Sequence, residues 1–170
     1  MRNLGWFLVA FFVAGCTSNV KQMSAKELIK SREIRKVSEA EILQAGMIFG
    51  NQIRDEMRVI VDSTSFDTLA CGELLPRMFE VLVATHHVDI RMISADAKQL
   101  SVLETGLMEA YQYNFENGIA LDPSIQKSTP KQVLYVCPIM NESLTNLCQK
   151  EGQVQVWMID LSIKDIINRL

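Results

Sequence analysis

From Ile42 onward the apolar residues Ile42, Ala45, Ile48, Phe49, Ile53, Met57 and Ile60 return every three or four positions, the spacing that lays one apolar stripe along an α-helix. It predicts a helix over 38–61. Ser38 and Glu41 stand at its start as a capping box, each able to satisfy a backbone N–H that the first turn leaves without a partner, and Ser24 with Glu27 repeats the pattern upstream. Gly46 and Gly50 lie four apart inside the stripe among Asn51, Gln52, Arg54, Asp55 and Glu56. Such polar company points to close packing against another element rather than to a membrane dimerisation motif. After a break at 62–67, Leu69, Leu74, Leu75, Met78, Phe79, Leu82 and Val83 form a second helical stripe that carries Cys71, with Pro76 tolerated early in it or kinking it. Residues 88–94 alternate as a half-buried strand does. Residues 100–115 read as a third helix, stopped by Asn117-Gly118. The run 121–132, with two prolines, predicts a loop. Residues 133–140 predict a strand, 141–152 a helical turn or loop, and 154–163 a last strand with Val154, Val156 and Met158 on one face. Helices early and strands late predict an α+β domain whose antiparallel sheet packs on the N-terminal helices.

At the N-terminus, Arg2 precedes an apolar run over 4–13, and Ala14-Gly15 stand before Cys16. Such a run, at ~1.5 Å per residue, covers about half of a ~30 Å hydrocarbon core, so it predicts a cleaved signal peptide rather than a spanning helix. The ending Val13-Ala14-Gly15-Cys16 resembles the lipobox of bacterial lipoproteins. The resemblance implies cleavage after Gly15, a diacylglycerol thioether on Cys16 and an acylated amine, a multi-chain anchor that holds stably to a membrane. Thr17-Ser18, with no Asp beside the anchor, implies sorting to the outer membrane of a Gram-negative host, facing the periplasm. The organisation expected is a signal peptide over 1–15, a lipidated tether over 16–23 and one domain over 24–170.

Composition narrows the function. The 170 residues are 48% apolar and 22% charged with a formal charge of −3, which excludes a disordered, collagen-like or polytopic membrane chain. Mild acidity without a block of like charges argues against a nucleic-acid partner. The two histidines, His86 and His87, are adjacent. Neighbours in a helix point about 100° apart and in a strand to opposite faces, so the pair does not chelate one metal; at a helix end it suits the negative pole of the dipole. No hydrolase, zinc or nucleotide motif is present, so neither a catalytic residue nor a metal site is expected and the chain does not read as an enzyme. The methionines are scattered along apolar stripes as core filler. Beyond Cys16 the cysteines are Cys71, Cys137 and Cys148, an odd number in a compartment that permits disulfides. Cys137 lies within an apolar strand and reads as a small core residue. Cys71 and Cys148 stand beside polar groups and are the candidates for a bridge or a site.

The order of these features resembles a family of bacterial periplasmic domains with a PAS-like fold that bind a single c-type haem, otherwise known as a domain of unknown function. The match runs over about 30–163, through Leu69-Ala70-Cys71, Ile90-Arg91-Met92-Ile93-Ser94, Glu104 with Asn117-Gly118, Tyr135-Val136-Cys137-Pro138-Ile139 and Val156-Trp157-Met158-Ile159. The chain departs from the family at the haem motif. Aligned from Pro138-Ile139, the CxxCH motif falls on Thr145, Cys148 and Gln149, so the first thioether cysteine and the histidine ligand are both missing, and no histidine follows His87. Cys71 keeps the place of the other axial ligand. The resemblance therefore implies a degenerate haem site with no resident cofactor, in which Cys71 and Cys148 line one pocket or bridge across it. The expected function is a lipid-anchored, non-catalytic sensor or binding domain. One alternative is a haem-binding or redox-sensing protein with Cys71 as thiolate ligand; the other is a structural envelope lipoprotein acting through protein partners.

Overall fold

A computed structural model describes residues 37–64, 77–139 and 152–170, all within the unit Val37–Leu170. Helix α1 (Glu39–Asp62) begins as its sequence predicts: Ser38 Oγ accepts from the Glu41 N–H, and the Glu41 carboxylate accepts from the Ser38 N–H at 2.8 Å. Its far end is closed by the hydroxyls of Ser63 and Thr64, which both donate to the Ile60 carbonyl, at 2.9 and 2.7 Å. Helix α2 (Glu80–His86) stops where His87 turns left-handed, φ 54°. Strand β1 (Asp89–Ser94) follows, then helix α3 (Val102–Glu116), which opens on a second capping box, Ser101 with Glu104. Strands β2 (Ser124–Thr129), β3 (Gln132–Pro138) and β4 (Gln155–Ser162) lead into a short closing helix α4 (Ile163–Ile167).

The four strands make one antiparallel sheet in the order β1-β4-β3-β2, so the first strand lies beside the last. The architecture is α+β, as expected. The run 121–132 is not the loop that its prolines suggested, since Ser124–Thr129 pairs with β3 from Ser124↔Val136 to Thr129↔Gln132. Pro123 and Pro130 bound this strand instead of interrupting it, and an edge strand with one side in solvent tolerates polar residues. The register shifts between Lys127 and Thr129, where Ser128 Oγ donates to the Gln132 carbonyl.

Helices cover both faces of the sheet. Against α1 and α2 lie Tyr135, Cys137, Trp157, Ile159 and Leu161, packed on Phe49, Ile53, Met57, Val61, Phe79 and Leu82. Against α3 lie Leu134, Val136, Val154, Val156 and Met158, packed on Leu107, Met108 and Tyr111. The sheet thus packs on the N-terminal helix as expected, and α3 covers its other face. For that reason every residue of β3 after Gln132 is buried, which makes the strand a continuous apolar run rather than an alternating one. The glycines of α1 allow the close approach that the sequence suggested: a Cβ on Gly46 would meet the Ile125 and Ile166 side chains, and one on Gly50 would strike the Tyr135 ring. Gly46 beside Val133 and Gly50 beside Tyr135 also show that α1 and β3 run in the same direction. Gly106 in α3 differs, because a Cβ there would have nothing within 4 Å of it. Gly106→Ala is expected to stabilise the domain by about 1 kcal/mol through helix propensity alone, read as a raised urea midpoint.

Candidate functional site

Cys16, Cys71, Thr145, Cys148 and Gln149 lie outside the described residues. Cys137 is fully buried in the α1-facing core and is free. Burial pushes its thiol up to about 12, which leaves it protonated and inert at neutral pH. It is packing, as its strand position implied. Two tyrosines, one on each face of the sheet, are structural pins. Tyr135, wholly buried, donates its hydroxyl to Asn51 Oδ1 at 2.8 Å and ties β3 to α1. Tyr111 donates to the Asp122 carbonyl at 2.7 Å, holding α3 to the chain that enters β2. Burial raises both phenols, so neither serves as a base.

The histidines separate. His87 is exposed at the helix cap, while His86 is buried with Nε2 at 2.8 Å from Glu56 Oε2, its ring edge-on to Phe49. The hydrogen bond from His86 is the main reason the Glu56 carboxyl is held below its ordinary value. The Arg169 guanidinium then stacks 3.8 Å from the Phe49 ring centre on the same helix. His86 therefore fastens α2 to α1. Among the described residues no group of three or more His, Cys, Asp or Glu side chains is placed to hold a metal, and no helix is long and apolar enough to cross a membrane.

On the opposite face, Arg91 of β1 reaches Glu104 Oε1 of α3 and Asp160 Oδ2 of β4, each at 2.8 Å, with Asp89 3.5 Å away. Burial would raise the Glu104 carboxyl, but hydrogen bonds from Ser101 and Arg91 outweigh it and hold the group below its ordinary value. Such a group contributes stability above its unfolded pKa, about 4.3, that is lost as the pH falls through the lower folded value. Arg91→Met should cost about 1–2 kcal/mol at pH 7, less than a fully buried pair because the arginine is partly exposed. The gap to the unsubstituted protein should narrow between pH 5 and pH 3, as the stranded Glu104 carboxylate protonates. Urea melts at three pH values would show it.

The same face carries a cavity of about 470 Å³ between α3 and the loop over 95–100, lined by Leu100, Met108, Glu109, Gln112, Tyr113 and Glu116 among others. The loop follows Ser94, which pairs with Gln155, and Ile139 donates its N–H to the Gln155 carbonyl at 3.1 Å. The cavity therefore sits at the sheet end where the chain leaves β3 and returns to β4. Gln112 makes the connection: its Oε1 accepts from the Val154 N–H at 3.0 Å, and its Nε2 donates to the Gly152 carbonyl at 3.0 Å and to Glu116 at 2.9 Å. This wall was not visible in the sequence, because its lining comes from the outward face of one helix and a loop ten residues earlier. The only local signal is Gln112, a polar residue on the helix that also buries Leu107, Met108 and Tyr111. No family model, curated protein or solved structure matches the chain.

Proposed function

We propose that this chain is a lipid-anchored, periplasm-facing binding domain of PAS-like type, non-catalytic, with a degenerate haem site and no resident cofactor. The observation that carries the reading is the cavity beside α3, because Gln112 of its wall holds Gly152, the first described residue after the segment bearing Thr145, Cys148 and Gln149. A ligand in such a cavity would act on the strand entry next to the altered motif. The four-stranded antiparallel sheet, with its first strand beside its last and a long N-terminal helix across one face, agrees with the PAS-like part of the proposal. The terminal Val13-Ala14-Gly15-Cys16 supports the anchor.

Protein purified from the membrane fraction of a bacterial host tests these parts separately. Its N-terminal peptide should carry the diacylglyceryl and acyl mass on Cys16, and Cys16→Ser should move the protein out of the membrane fraction. Its absorption spectrum should lack a Soret band after haem is supplied. A band that Cys71→Ala abolishes would establish the thiolate-ligated haem protein instead. Alkylation without reductant should leave Cys71 and Cys148 unmodified if they bridge the emptied site, whereas modification of both would overturn the bridge.

A further inference from the structure

We infer that the cavity beside α3 takes an amphipathic organic cation, a primary or quaternary ammonium group carrying a short apolar chain. This assignment rests on the binding-domain reading and specifies its ligand. Glu109, Tyr113 and Glu116 stand four and then three residues apart, on one face of α3. They line the cavity together with Leu100 and the buried Met108. Two carboxylates thus flank an aromatic ring above an apolar floor. A cation can pair with the carboxylates and lie over the ring, while its chain covers the methionine and leucine.

The surrounding charge favours the same sign of ligand. Residues 95–116 carry four carboxylates, Asp96, Glu104, Glu109 and Glu116, and a single cation, Lys98. Glu104 is occupied by Arg91 and Asp96 accepts from Ser94 Oγ at 2.6 Å, whereas Glu109 and Glu116 have no cationic partner among the described residues. Lys98 belongs to the facing loop but does not line the cavity. An anion would meet both carboxylates without compensation, and a neutral ligand would leave them unused.

The cavity also has a path to the sheet. The Gln112 amide is shared between Glu116 and the Gly152 carbonyl. A cation on Glu116 competes with that amide, so occupancy alters the hold on Gly152 and Val154 where the chain enters β4.

The test uses the full mature domain, isotopically labelled, titrated at pH 7 and low salt with hexylammonium, hexanol and hexanoate. Expected are shifts of the Met108 methyl and of the Tyr113, Gly152 and Val154 amides with hexylammonium, weakened by added salt, and much smaller shifts with hexanol and hexanoate. The double variant Glu109→Gln, Glu116→Gln, at exposed positions and with the acceptor of Gln112 retained, should weaken hexylammonium binding roughly tenfold, as the loss of two exposed ion pairs implies. Equal binding of hexanol, or a double variant that binds hexylammonium normally, would overturn the cation assignment while leaving the binding reading in place. No shift at these residues with any of the three probes would overturn both.

Discussion

Gly50→Ala is expected to destabilise the domain by about 2–3 kcal/mol and to lower its melting temperature by roughly 5–12 °C. The sign is not obvious, because alanine in a helix interior normally gains about 1 kcal/mol over glycine. Here the added methyl has nowhere to go. It would collide with the Tyr135 ring, and that ring is fully buried with its hydroxyl fixed on Asn51 of the same helix. Relief requires α1 to move away from β3 and to strain that hydrogen bond. Gly46→Ala provides the contrast one turn earlier. Its methyl would meet the Ile125 Cδ1 at 2.7 Å and the Ile166 Cδ1 at 3.2 Å, the ends of side chains that can rotate, and Ile125 lies on an edge strand. The propensity gain then nearly offsets the crowding, and a change within about 1 kcal/mol is expected. With Gly106→Ala stabilising, the three helical glycines among the described residues should rank by what faces them, Gly106 most tolerant and Gly50 least. A thermal or urea series that placed Gly50→Ala beside Gly46→Ala would show that the tight contact with Tyr135 is not the constraint on α1.

The same helix shows what a sequence makes legible. α1 could be read from its apolar period, its capping box and its paired glycines, because each is a local signal within a few residues. The strands β1, β3 and β4 were legible by their patterns too, β1 from its alternation and β3 and β4 from their apolar residues. β2 was not, since Ile125 is its one apolar residue and its flanking prolines mimic a loop. The site residues divide in the same way. The packing role of Cys137 follows from its neighbours in β3, but the Glu56 partner of His86 is 30 positions away, and the convergence of Glu104 and Asp160 on Arg91 requires the tertiary fold. The cavity was the least legible, because its charged residues are ordinary exposed positions until the loop over 95–100 faces them. Ser101 with Glu104 is a different omission: that capping box is as plain in the sequence as the one at Ser38.

Trp157→Ala is expected to have the largest effect, about 3–5 kcal/mol. Trp157 faces the α1 side of β4, between Met92 of β1 and Cys137 of β3 in register, and its ring meets Phe79 edge-on, with centroids 5.3 Å apart at 87°. Phe79 is itself 2% exposed and opens onto α2. Removing the indole therefore leaves a void beneath both the sheet and the start of α2. That void is apolar on its sheet side, where Met92 and Cys137 flank it, and a space of this kind stays dry and accepts a small aromatic molecule. Benzene or indole should accordingly raise the melting temperature of Trp157→Ala and leave that of the unsubstituted protein unchanged. Cys137 should also become open to alkylation once the ring above it is gone, slowly at neutral pH and faster in alkali, because access alone does not supply the thiolate. These outcomes bear on where a ligand can sit. On the α1 side Trp157 and Phe79 are buried in the core, so entry between them requires unpacking it, whereas the cavity beside α3 is open without that. If Trp157→Ala instead melted within 1 kcal/mol of the unsubstituted protein and gained nothing from benzene, the α1-facing core would be loose enough to admit a ligand, and the two faces would have to be weighed again as binding sites.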